Sequence, residues 1–80
     1  MDIELARQIV RVNFRCSREL QDLMQLLKKK LPRREYAPYA RAIAATIATM
    51  GDALTERAVA AKPQLRREIE TSIAKYDRFL

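Results

Sequence analysis

The sequence predicts an all-α protein, a three-helix up-down antiparallel bundle with two long helices and a shorter third. Apolar residues recur at intervals of three and four over most of the chain, which is the spacing of one face of a helix. One glycine and three prolines are the only strong helix breakers among 80 residues, so long helices are favoured. We therefore predict helices over residues 2–30, 34–61 and 63–79, in a single domain that spans residues 1–80.

The second helix is predicted to be the central element of the bundle. Residues 36–50 carry one charge, Arg41, and so little charge around a helix indicates neighbours on more than one side. Gly51 follows, and two interpretations stay open: a continuous helix with a close contact at Gly51, or a break after which Asp52 caps a separate helix. The apolar run is shorter than the roughly 20 residues of a membrane span, so no membrane contact is expected. The inward stripe is expected to comprise Tyr36, Ala40, Ile43, Ile47, Met50 or Gly51, Leu54, Ala58 and Ala61.

The first helix carries two apolar arcs. Asp2 is a plausible N-cap, and three lysines precede the expected C-terminal end, where the helix dipole favours cations. A shorter arc of Ile3, Val10 and Phe14 is confined to the N-terminal half. Arginines 7, 11, 15 and 18 fall opposite the main arc and are expected in solvent. The main arc, expected to face the core, comprises Leu5, Ile9, Val12, Cys16, Leu20, Leu23 and Leu27.

The third helix is expected to begin at Pro63, because proline is favoured in a first helical turn. Its apolar positions are Leu65, Ile69, Ile73, Tyr76 and Leu80. Short connections make neighbouring helices antiparallel, so this helix would start beside the N-terminus of the first. From its length we expect it to cover residues 3 to 17 of the first helix, where the shorter arc lies. The opposite end of the molecule is then only two helices thick.

That two-helix end is predicted to form a homodimer interface, which would complete a larger helical bundle. A chain with a single cysteine, Cys16, and no histidine has neither a disulfide nor a zinc site to support a small core. A second copy is the remaining source of buried apolar area. The alternative is a bend in one long helix, which would give a compact monomer. The expected interface residues are Leu20, Leu23, Met24, Leu27, Tyr36, Tyr39 and Ile43.

The formal net charge is +6, and it is uneven: residues 1–34 hold nine Lys or Arg against four Asp or Glu. A basic run could bind phosphates, with Tyr36 and Tyr39 stacking on exposed bases. The favoured interpretation is plainer, a helix end and loop whose charges are solvated. The run comprises Lys28, Lys29, Lys30, Arg33 and Arg34.

Catalytic chemistry is not predicted. The chain lacks a histidine, a glycine-rich phosphate loop and a paired set of metal ligands, so we expect no enzyme, no cofactor and no metal. Arg11, Arg41 and Glu56 are the residues that an enzyme relying on charge alone would use. The leading hypothesis is an interaction or structural module that acts through homodimerisation and a protein partner, and the alternative is nucleic-acid binding through residues 28–34. The lone cysteine and the acidic N-terminus without an apolar signal favour a cytoplasmic location.

Overall fold

The computed structural model describes residues 1–80, and every regular element in it is helical. The elements are α1 (Ile3–Lys30), α2 (Arg33–Met50), a π-helical turn (Gly51–Thr55), α3 (Glu56–Ala61) and α4 (Leu65–Tyr76). The middle three follow one another without interruption, and we call them together the α2–α3 rod, residues 33–61. The chain thus has three helices, two long and one short, as predicted. The molecule measures 45 × 24 × 15 Å.

The ends of α1 follow from local chemistry. The Asp2 side chain accepts the Leu5 N–H at 2.8 Å, which satisfies one of the free donors of the first turn. At the other end Leu31 is extended, with φ −112° and ψ 147°, because Pro32 disfavours helical geometry in the residue before it. The predicted boundaries of the first helix are therefore confirmed to within one residue.

The core lies at one end of the molecule. Its buried apolar side chains come from α1, from α3 at the end of the rod, from α4 and from the residues after α4. Outside this cluster only Ile43 is a buried apolar residue, so the far end is held by half-buried contacts between α1 and α2. The cluster comprises Ala6, Val10, Ala58, Val59, Leu65, Ile69 and Phe79.

Cross-chain contacts fix the directions of the helices. Asn13 of α1 bonds to Thr55 of the rod, whereas Lys28 of α1 shares a cleft with Tyr36, so the two long helices run antiparallel. In α4, Glu68 pairs with Arg7, and Phe79 beyond it packs on Phe14 with ring centroids 6.1 Å apart. These two contacts place α4 and the residues after it beside the N-terminal half of α1.

The inward face of α1 differs from the expected one. The shorter arc supplies the core residue Val10, whereas Leu5 and Val12 of the main arc are 54% and 44% exposed. The inward face includes two polar residues, Asn13 and Ser17. A search for regularly spaced apolar residues is interrupted there and does not recognise the face as one continuous series. Its buried and half-buried positions, at intervals of three and four, are Ile3, Ala6, Val10, Asn13, Ser17, Leu20, Met24, Leu27 and Leu31.

The inward face of the rod shifts by one residue at the π turn. Up to Met50 the expected positions are buried or half-buried. At the end of the turn Thr55 is buried, whereas Leu54 before it is 41% exposed. The Glu56 N–H donates to the carbonyl of Gly51, five residues back. The turn therefore holds one residue more than an α-helical turn, and the inward-facing positions after it move one residue later in the sequence. The expected inward positions Leu54 and Ala61 are therefore wrong, and Ala58 is confirmed.

Gly51 lies inside a continuous helix, with φ −58° and ψ −48°. This excludes a separate helix capped by Asp52. A Cβ built at Gly51 would meet no atom within 4 Å, so the expected close contact at this glycine is also absent.

The short helix ends earlier than predicted. Asp77 adopts a left-handed conformation, with φ 61°, and its N–H donates to the Ile73 carbonyl at 2.9 Å. Ser72 Oγ then donates to the Arg78 carbonyl at 2.6 Å and accepts the Leu80 N–H at 3.0 Å. This reversal returns Phe79 to the core. The predicted apolar positions Ile73, Tyr76 and Leu80 are consequently exposed.

Candidate functional sites

The residues predicted for a dimer interface occupy three kinds of environment. Leu23 and Tyr39 are exposed. Ile43 is buried within the single chain, so little of its side chain is accessible to a second copy. The remaining four are half-buried in or beside the contact between α1 and α2: Leu20, Met24, Leu27 and Tyr36.

A largely uncovered apolar surface runs along α1, and we call it the outer stripe; Cys16 within it is half-buried, and Ile9 is half-buried against the core. Four of the ten exposed large apolar side chains belong to it, and the intervals of three and four along it are broken only by Glu19. Arg7 contacts α4, and Phe14 contacts the tail that follows α4. Leu5 and Val12 each precede one of these residues by two positions, and two residues turn a helix by 200°. The outer stripe therefore lies on the side of α1 away from α4. It comprises Leu5, Ile9, Val12, Cys16, Leu23 and Leu26.

The single chain exposes an unusually large surface. Its accessible area is 5954 Å², whereas a compact monomer of 9.3 kDa exposes about 5,000 Å². The difference is about 1,000 Å², and stable protein pairs bury about 800 Å² on each partner. The chain thus carries enough surplus surface to form one interface of ordinary size.

The basic run lies at the end of the molecule away from the core. All five of its side chains are exposed, and none of them is in an ion pair. Lys28 and Arg33 line one cleft together with Arg41 and the half-buried Tyr36. The structure thus adds Arg41 to the positive charges identified in the sequence, and Tyr39 is the more exposed of the two tyrosines.

An ion network attaches α4 to α1. Arg7 donates to both oxygens of Glu68, at 2.8 and 3.1 Å, and to Glu4 at 2.9 Å. Arg11 also donates to Glu4 and lies 5.8 Å from the centroid of the Phe79 ring. The guanidinium of Arg7 lowers the pKa of Glu68, and Arg7 with Arg11 lowers the pKa of Glu4. The expectation that Arg7 and Arg11 lie free in solvent is therefore wrong, because α4 and its tail cover that face.

A second cleft, of about 500 Å³, opens where α4 ends and leaves the groove between α1 and the rod uncovered. At its base Asn13 is 4% exposed. The Asn13 Nδ2 group donates to Thr55 Oγ1 at 2.9 Å, and its Oδ1 atom is buried without a hydrogen-bond partner. We call this the Asn13 cleft. Its lining residues are Asn13, Phe14, Arg15, Ser17, Arg18, Gln21, Ile47, Gly51, Asp77, Arg78 and Phe79.

Sequence reasoning missed this cleft for two reasons. Asn13 and Thr55 are 42 positions apart, and neither belongs to an apolar pattern. One signal was available, because Asn13 continues the spacing of Ala6 and Val10. A polar residue at an inward position of a helix needs a hydrogen-bond partner.

The residues considered for charge-based catalysis are not brought together. Arg11 pairs with Glu4, Glu56 pairs with Arg66 at 2.6 Å, and Arg41 lines the cleft at the basic end. No group of three or more Cys, His, Asp or Glu side chains is placed to hold a metal ion.

No protein-family model matches the chain, and neither a curated protein nor a solved structure is significantly similar to it. None of its helices combines the length and hydropathy required to cross a bilayer. The class that the structure defines is a small, basic, all-helical protein. Its distinguishing features are a largely uncovered apolar stripe on the longest helix and two clefts that are each lined by more than one arginine.

Proposed function

We propose that this protein is a homodimeric helical interaction module, in which two chains pair through the outer stripe. The main support is the stripe itself, because four of its side chains are 43–54% exposed in a chain whose total accessible area exceeds that of a compact monomer by about 1,000 Å². Burying such a surface is favourable by roughly 25 cal/mol per Å² of apolar area. The pairing would join the two copies of α1 into a larger helical bundle, and its role is binding rather than catalysis.

The stripe also favours one orientation of the pair. Its apolar positions extend from Leu5 to Leu26, so its midpoint lies beside Cys16. An antiparallel pair about a two-fold axis sets Leu5 of one chain near Leu26 of the other and brings the two Cys16 residues together at the axis. A parallel pair would instead oppose the two Glu19 carboxylates, which repel each other.

Of the interface residues predicted from the sequence, only Leu23 remains in the proposed interface, whose centre lies closer to the N-terminus. The reason is burial: Ile43 is already enclosed within one chain, and Met24 and Leu27 are half-buried. A protein partner could then bind the surfaces that the dimer leaves free. A cytoplasmic location remains a prediction from the single cysteine.

Sedimentation equilibrium at micromolar concentration tests the proposal, and we expect a mass of twice 9.3 kDa. Val12→Asp should yield monomers, because a charge in the centre of an apolar interface is costly to desolvate. The matched control is Ile73→Asp, since Ile73 on α4 is 40% exposed and lies outside the stripe. A monomeric wild type at every concentration refutes the proposal, and so does a Val12→Asp variant that remains a dimer.

The second candidate function is nucleic-acid binding at the basic end, favoured by the shared cleft of Lys28, Arg33 and Arg41. Fluorescence anisotropy with random duplex and single-stranded oligonucleotides at about 50 mM and 200 mM salt tests it, because phosphate contacts weaken steeply as salt rises. Replacing Lys28, Lys29, Arg33 and Arg34 by Gln should lower both affinity and salt slope. Absence of binding at the lower salt concentration would exclude this function.

A further inference from the structure

The Asn13 cleft contains an unsatisfied polar group of a kind that is rare in protein interiors. The Oδ1 atom of Asn13 is buried and has no partner, although most buried polar atoms are hydrogen-bonded. Turning the amide by half a turn would let the Thr55 hydroxyl donate to Oδ1 and would leave Nδ2 without a partner instead. In either orientation one hydrogen-bonding group of Asn13, a residue that lines the cleft, has no partner within the chain.

The rim of the same cleft is positively charged. Arg15, Arg18 and Arg78 line it, and none of them is in an ion pair, whereas Arg7, Arg11 and Arg66 are all paired with carboxylates. Asp77 is the one acidic lining residue. Unpaired guanidinium groups beside a partly enclosed space favour an anion, and their planar forked geometry matches the oxygens of a phosphate.

One part of the wall of the cleft is apolar. Phe14, Ile47 and Phe79 supply side chains, and Gly51 leaves its part of the wall open because it has no side chain. The volume of about 500 Å³ falls within the range of small-molecule sites, which combine apolar walls with a few polar groups.

From these three observations we propose that the Asn13 cleft binds a small organic phosphomonoester. The phosphate oxygens accept from the arginines of the rim, and the apolar part of the ester packs against the two phenylalanines. A phosphomonoester suits Asn13 in both amide orientations, since it carries acceptor oxygens and, when singly protonated, an O–H donor; its second pKa is about 6. A carboxylate at neutral pH offers acceptors only.

The cleft and the outer stripe lie on different sides of α1. Phe14 faces the cleft and the C-terminal tail, whereas Val12 belongs to the stripe, half a turn away. Ligand binding and dimerisation are therefore separate properties, and failure of one leaves the other intact.

The test uses phenyl phosphate as the probe, with titration calorimetry and amide chemical shifts recorded at constant ionic strength. We expect saturable binding, with shifts centred on residues 13–18 and 77–79, and weaker binding of inorganic phosphate, which lacks the ring. Arg18→Gln and Arg78→Gln should each weaken binding about tenfold, the effect of one lost charged hydrogen bond. Asn13→Leu should weaken binding as well. The matched control is Arg57→Gln, which removes an exposed arginine outside the cleft and should leave the affinity unchanged.

Three results would overturn the proposal. Absence of saturable binding up to about 10 mM phenyl phosphate, well above ordinary ligand affinities, excludes the site. Equal loss of affinity in Arg57→Gln and Arg18→Gln indicates diffuse attraction to a basic protein. Inorganic phosphate that binds as tightly as phenyl phosphate refutes the organic ester. If Asn13→Leu fails to fold, the two arginine variants decide the question, because both replace exposed side chains.

Discussion

The hydrogen bond between Asn13 and Thr55 joins the two long helices inside the core, and Thr55→Val tests its contribution to stability. The substitution keeps the shape of the side chain and removes the hydroxyl. The Nδ2 group of Asn13 then loses its only partner, while Oδ1 already has none. Leaving a buried polar group unsatisfied costs about 1–3 kcal/mol. At about 4–8 °C per kcal/mol for a domain of this size, we expect the melting temperature to fall by roughly 5–20 °C.

Asn13→Leu should cost much less than Thr55→Val, although it breaks the same hydrogen bond. It removes an unpaired oxygen from the core, and the freed Thr55 hydroxyl can donate to a backbone carbonyl one turn earlier. Thr46 and Thr49 make such bonds, to the carbonyls of Ala42 and Ala45 at 2.8 and 2.9 Å. We expect a change in unfolding free energy within about 1 kcal/mol, and the double variant should be near neutral, because both polar partners are then gone.

Urea unfolding followed by far-ultraviolet circular dichroism measures all three variants, with an unchanged slope confirming that only stability has changed. Thr46→Val is the matched control: it is the same substitution at an exposed position of α2 and should change stability by no more than about 0.5 kcal/mol. A Thr55→Val variant as stable as this control would refute the reasoning, because solvent would then satisfy Asn13. Strict additivity of the two single substitutions would refute the coupling.

Three further predictions concern other parts of the molecule. Gly51→Ala should stabilise the chain by about 1 kcal/mol in the same urea assay, because Gly51 is helical with free space around it; Ala44→Gly should show the opposite sign, and a loss in Gly51→Ala would contradict the helical geometry. The hydrogen bonds from Arg7 hold the pKa of Glu68 below the ordinary value of a glutamate, so this pairing stabilises the fold above that ordinary value and loses its effect as pH falls through the lowered pKa. Acid titration of Glu68→Gln should therefore show a shallower loss of stability than wild type, with Glu70→Gln as control. A short bismaleimide should cross-link two chains through Cys16 if the pair is antiparallel. If the protein is a dimer and its Cys16 thiols are modified without forming a cross-link, that orientation is excluded.

The helices were predictable from the sequence because breakers and caps mark their ends. Pro32 and Pro63 fix the two connections, and Asp2 is the cap that the sequence predicts. These features depend on local geometry, which a few residues determine.

The inward faces were less predictable, because they depend on tertiary packing. The inward face of α1 contains the polar residue Asn13, which is buried against Thr55. A search for apolar spacing therefore selects the uninterrupted arc that contains Leu5 and Val12. The C-terminal reversal at Asp77 needs a left-handed residue that is not glycine, which no pattern marks. The Asn13 cleft combines both difficulties: it lies between segments distant in sequence and depends on where α4 stops.

The π turn has a consequence for how the length of this chain can vary. Residues 51–55 hold one residue more than the packing of the α2–α3 rod on α1 requires, so deletion of the exposed Asp52 lets an ordinary α-helical turn form while Ala58 and Val59 keep their places in the core. Deletion of Ala45, three turns from the core, would instead rotate everything beyond it by about 100°. The rod therefore has one segment in which a single codon can be lost without disturbing either flank, and related chains that are one residue shorter are expected to differ there.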